Sequence, residues 1–92
     1  MLYALICIDK PNSGEMRAQN REKHLEFLEG YRDKITLAGP VLDADNTTPR
    51  GSLIILNLDS PDAVREFVQA DPYGKAGLFA SITAAPFKQV LP

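Results

Sequence analysis

Four short apolar runs, unevenly spaced, limit what this chain can fold into more than any other feature. They are LYALICID (2–9), ITLAGPVL (35–42), SLIILNL (52–58) and the segment from 79 to 91. In the first run Leu2, Ala4, Ile6 and Ile8 fall on one face and Tyr3, Leu5 and Cys7 on the other, the period of a strand with two apolar sides. The intervals after the first and third runs are long enough for a helix. Only a polar stretch, DADNTTPRG, separates the middle two, as in a hairpin.

The punctuation agrees with that division. DKPNSG, with Pro11 and Gly14 as breakers, is a loop, and a first helix then runs from Glu15 to Asp33. Gly39-Pro40 inside the second run marks a bend, a bulge or a sheet edge. Ser60 is a good N-cap with Pro61 at the first helical position, so a second helix starts there. It stops at Asp71, because Pro72 disfavours a helical residue before it. YGKAG is then a short irregular turn into the last strand. The order β-α-β-β-α-β is the ferredoxin-like split arrangement, an α+β class with both helices on one face of a four-stranded antiparallel sheet. Residues 1–92 make one domain. The strands' second face is also apolar, and no other segment is left to cover it. A homodimer packed sheet to sheet is the simplest remedy.

Composition narrows the function classes. A net charge of −2 gives no basic excess for nucleic acid or an anionic membrane. A single cysteine cannot pair within the chain, and the apolar N-terminus has neither a basic flank nor the length of a membrane span, so a cytoplasmic protein is expected. One His and one Cys cannot make a protein-only zinc site, and no metal or cofactor is expected. DADN faintly resembles a calcium loop, but Thr48 and Ile54 stand where that loop needs Gly and Glu. Cys7, inside an apolar strand, reads as packing.

The lone histidine is the informative residue. At about 100° per residue, setting His24 at zero places Leu28 about 40° away, Tyr31 and Ile35 about 20° and Phe27 about 60°. His24 thus lies on the centre line of the buried stripe, which turns polar toward its N-terminus with Arg21, Asn20 and Arg17. The second helix repeats the pattern: Val64, Phe67, Val68 and then Asp71 share one stripe. In this topology the two helices run antiparallel, which brings the end of the second beside the first half of the first. His24 and Asp71 can therefore meet. A carboxylate beside an imidazole fixes which ring nitrogen carries the proton, and prepares the histidine for acid–base work or for gripping an anion. The plainer alternative is a polar pair that fills a gap in the core.

The same residues carry a resemblance. R-x-x-H-L (Arg21 to Leu25), A-G-P (Ala38 to Pro40), G-S (Gly51, Ser52), A-D-P-Y (Ala70 to Tyr73) and P-F-K (Pro86 to Lys88) follow in the order and spacing of YciI-like proteins, the YCII-related group. The resemblance implies a dimeric α/β-barrel of ferredoxin-like subunits with a His–Asp dyad at His24 and Asp71. It further implies that Arg21, Gly39, Pro40 and Tyr73 line the same cleft. A related activity is dehydrochlorination of a chlorinated hydroxyhydroquinone, and the barrel is similar to that of muconolactone isomerase. The expectation is cofactor-free elimination or isomerisation of a small anionic or cyclic organic molecule. His24 would move the proton, Asp71 would orient it, and Arg21 or Arg17 would hold an acidic group. A non-catalytic binding or regulatory module of the same fold is the alternative.

Overall fold

A computed structural model describes all residues from 1 to 92. The elements are β1 (Leu2–Asp9), α1 (Gly14–Glu29), β2 (Ile35–Leu42), β3 (Pro49–Asn57), α2 (Pro61–Ala70), α3 (Pro72–Lys75) and β4 (Phe79–Phe87). The strands form one sheet in the order β2-β3-β1-β4, each antiparallel to its neighbours. This is the expected α+β arrangement.

The two faces of the sheet have different fates. Tyr3 and Leu5 of β1 pair with Leu56 and Ile54 of β3 on the side that the helices cover. Together with Leu58, Val64 and Phe67 they form the core, against which Phe27, Leu28, Tyr31 and Ile35 pack. Phe67 is the hub, with its ring centroid 5.0 Å from Phe27 and 4.8 Å from Tyr31. The opposite face, with Leu2, Ala4, Ile6 and Ile8 from β1, carries no element of this chain. The sheet centre also requires a glycine. A Cβ on Gly51 would lie 2.3 Å from the Cys7 carbonyl oxygen, closer than any side chain tolerates.

Several boundaries differ from the sequence reading, each for a local reason. The first helix ends at Glu29 and not at Asp33. After Gly30 the chain tightens into a 3₁₀ turn (Arg32–Lys34), in which the Lys34 N–H donates to the Tyr31 carbonyl at 2.8 Å. β3 starts three residues earlier than expected, at Pro49, because the hairpin tip closes early. There the Asp45 carboxylate accepts from the Thr47 and Thr48 N–H groups at 2.8 Å, and Asn46 takes a left-handed φ of 64°. YGKAG is not irregular: Pro72–Lys75 form one helical turn, capped by the Asp71 side chain on the Tyr73 N–H at 2.9 Å. β4 ends at Phe87 and not near residue 91. β2 is an edge strand, where a residue without an N–H is tolerated, and its register shifts flank Gly39-Pro40 without falling on it. The second helix starts as read, with Ser60 Oγ accepting from the Ala63 N–H at 3.1 Å. No helix is long and apolar enough to cross a membrane.

Candidate active site

The only fully buried residues of α1 are Arg17 and His24, a cation and an imidazole two turns apart on one face. A helix that turns such a face inward must supply partners for both, because an unpaired buried charge or imidazole is costly. The ends of two other elements provide them.

His24 Nδ1 lies 2.8 Å from Asp71 Oδ1, with both side chains less than a tenth exposed. The same oxygen accepts the Tyr73 N–H, so one carboxylate both starts α3 and holds the imidazole. With Nδ1 engaged, only Nε2 is left for other partners. No buried side-chain polar atom lacks a partner, and Nε2 makes no hydrogen bond, so it opens onto the space in front of the ring.

Arg17 meets the carboxylate of Asp9, the last residue of β1. Nε donates to Oδ2 at 2.7 Å and Nη2 to Oδ1 at 3.1 Å, a bidentate pair. Nη2 also donates to Ser52 Oγ at 3.0 Å. Burial alone would pull the Arg17 pKa down, but the hydrogen bond and charge of Asp9 lift it above its ordinary value, so the guanidinium stays ionised. Its Nε and Nη2 are thus engaged inside the protein by Asp9 and Ser52. Between the two helix residues stands the Tyr73 ring, stacked on His24 at 3.9 Å and 14°. The Arg17 guanidinium carbon lies 4.7 Å from the same ring centre. Burial lifts the Tyr73 phenol above its usual range, and Arg17 and Arg21 draw it partly back.

These groups face a cleft of about 370 Å³ between α1 and the strands β2 and β3. Arg17, Arg21, His24, Gly39, Pro40 and Tyr73 all line it, with Leu25, Leu28 and Ile54 as apolar wall. Asp71 does not reach the surface of the cleft and sits behind His24. No Asp or Glu lines the cleft, so its charged groups are all basic although the protein is acidic overall. Arg21, exposed and without an ion-pair partner, is its free cation. Cys7 lies beside the site but is no thiolate, since burial, with Asp71 and Asp9 adding to it, pushes its pKa up to about 12. No three His, Cys, Asp or Glu side chains converge as metal ligands would.

Asp9 and Ser52 are the polar residues whose place here the sequence reading missed. Strand alternation held the signal for Asp9: it falls on the same face as Tyr3, Leu5 and Cys7, where an acid requires a cation.

A ferredoxin-like sheet carrying a basic cleft with a carboxylate-held histidine defines a class of small α+β folds with a ligand-sized site. Within that class, this chain belongs to the YCII-related domain family, whose model matches residues 1–88. It is 34% identical to protein YciI of Escherichia coli O6:H1, over 98% of this chain and 99% of that one. An uncharacterized protein of Haemophilus influenzae is 32% identical over the same shares. Among solved structures, 5-chloro-2-hydroxyhydroquinone dehydrochlorinase from Burkholderia phenoliruptrix, in complex with 2,5-dihydroxybenzoquinone, superposes with a TM-score of 0.92 at 38% identity. The match covers 96% of this chain and 94% of that one.

Proposed function

We propose that the cleft is the active site of a small-molecule enzyme that performs acid–base chemistry, of elimination or isomerisation type, on a small anionic organic molecule. The observation that carries this reading is the 2.8 Å contact between His24 Nδ1 and Asp71, which leaves Nε2 facing a ligand-sized space. In that arrangement His24 takes a proton through Nε2, and Asp71 holds the ring and stabilises the charge it acquires. Arg21 holds the anionic group, one helical turn from the imidazole. Arg17 contributes field and shape, since Asp9 already neutralises it. Gly39 and Pro40 form the opposite wall. Such steps need neither a metal nor a covalent nucleophile. The likeness to a dehydrochlorinase at 38% identity supports small organic chemistry of this type.

The test is chloride release from 5-chloro-2-hydroxyhydroquinone by the wild-type protein and by His24→Ala, with circular dichroism as the check on folding. Turnover by the wild type and a loss of about 100-fold or more in the variant are expected, the usual worth of a positioned base. A wild type that binds the compound without turning it over would point instead to a binding or regulatory module. An equally active His24→Ala would sink the reading.

The same proposal includes a second copy of the chain on the open sheet face, completing a dimeric barrel. Ile6 and Leu37 on that face are 42% and 48% exposed, which is unfavourable in water and relieved by a matching apolar surface. The one cysteine is buried and free, which fits a reducing cytoplasm as the place of work.

A further inference from the structure

The cleft does not end at its apolar wall. Leu25, Leu28 and Ala38 line it, and the same three residues line a second, more open hollow of about 430 Å³. That hollow runs on between the C-terminal half of α1 and the start of β2, where Ile35 also lines it. It lies on the helix side of the sheet, opposite the face assigned above to a second copy. Its far end carries an ion pair, in which Arg32 Nε donates to the Glu29 carboxylate at 2.8 Å. Polarity therefore alternates along α1. Arg21, the free cation of the cleft, stands one turn before Leu25, and Glu29 stands one turn after it. Leu25 itself is 41% exposed, a large apolar side chain left in water at the junction of the two hollows. Apolar ligand atoms laid over it would remove that surface from water.

We propose that the two hollows form one elongated binding site whose ligand is an amphipathic organic anion. Its anionic head sits at Arg21 beside His24, and its alkyl tail lies over Leu25 and Leu28 toward Ile35. This inference rests on the acid–base reading above and narrows its substrate class, from small organic anions to those that carry an apolar chain. Between Arg21 and Glu29 the helix advances about 12 Å, and that distance sets the length of tail that stays on apolar surface. A longer tail meets the Glu29–Arg32 pair, whose groups would lose water to it without gaining a partner. The head is held by charge and the tail by area alone. Arg21 thus sets how tightly any such anion binds, and Leu25 sets which tail lengths are preferred. Leu25 is a specificity-determining residue.

The probe is a ladder of straight-chain carboxylates, from butanoate through hexanoate and octanoate to decanoate, each kept below its micelle concentration. Binding to the full chain is followed by NMR. The one imidazole reports the head, and the methyl groups of Leu25, Leu28 and Ile35 report the tail. Affinity should rise about twofold to fourfold with each methylene up to octanoate, the upper figure being that of a fully buried CH₂. It should level off at decanoate. Arg21→Gln should weaken every member by a similar factor and keep the slope. Leu25→Gln, at a half-exposed helix position, should flatten the slope while the melting temperature stays close to that of the wild type. Equal affinity for butanoate and octanoate in the wild type overturns the elongated site and leaves the anion site standing. A rising ladder that Leu25→Gln does not flatten places the tail elsewhere, and overturns the proposal too. If no member binds and the imidazole signal stays fixed, the elongated site and the anion-binding reading both fall.

Discussion

Asp9 illustrates how much a single residue can decide. It ends an apolar strand, yet alternation turns it toward the helices, and only Arg17 is there to meet it. With side-chain exposures of 7% and 10%, neither charge has water to fall back on. Asp9→Asn should therefore cost about 3 kcal/mol, because it leaves a buried guanidinium without its counter-charge. Urea unfolding followed by circular dichroism measures that loss as a lower midpoint at unchanged slope. The meeting of His24 and Asp71 was legible from helix angles and topology, since His24 lies within a helix and Asp71 directly follows the last turn of another. The Asp9–Arg17 pair was not read, because it joins a strand end to a helix across a loop. Strand alternation puts Asp9 on the core side and so calls for a cation there, but neither periodicity nor spacing says which one.

At the scale of elements, the sequence told where helices and strands start better than where they stop. Ser60-Pro61 and the Asp71-Pro72 stop are covalent in origin, so they survive any packing. The end of α1 is different. Tyr31 and Ile35 continue the apolar stripe, but the chain leaves the α-helix after Glu29 and passes through a 3₁₀ turn into β2. Gly30 caps the helix there, and the N–H groups of Gly30 and Tyr31 turn to the i−3 carbonyls of Phe27 and Leu28. The hairpin tip likewise closed early through Asp45, whose bonds to the Thr47 and Thr48 N–H groups no apolar pattern records. At Gly51, β1 and β3 approach too closely to admit a side chain. Gly51→Ala should lower stability by roughly 1–3 kcal/mol, since the backbones must part to admit a methyl group. Thermal melting is the direct check, and an unchanged midpoint would mean that the strands can separate freely there.

For the whole molecule, size is the governing constraint. A chain of 92 residues buries a limited share of its surface, and this one leaves one side of its sheet without cover. A second copy on that side is expected to give twice the chain mass by sedimentation equilibrium. Ile6→Asp, a charge at the middle of the central strand, should shift the protein to single-chain mass. A wild type of single-chain mass at micromolar concentration would remove the dimer from the proposal. The α+β class and the order of elements along the chain were readable from the sequence because four apolar runs and two helix-length intervals leave few ways to close a sheet.

The shared oxygen of Asp71 makes the site portable. The carboxylate that holds His24 is also the one that begins α3, so the imidazole's orientation is written into the way a helix ends. Transplanting this histidine into another scaffold needs no copied loop. It needs a helix that finishes in Asp-Pro, and an antiparallel neighbour with a histidine at the matching height. By the same logic, the aspartate is a poor place to seek a clean separation of foldedness from reactivity, because each of its bonds serves one and the two share an atom.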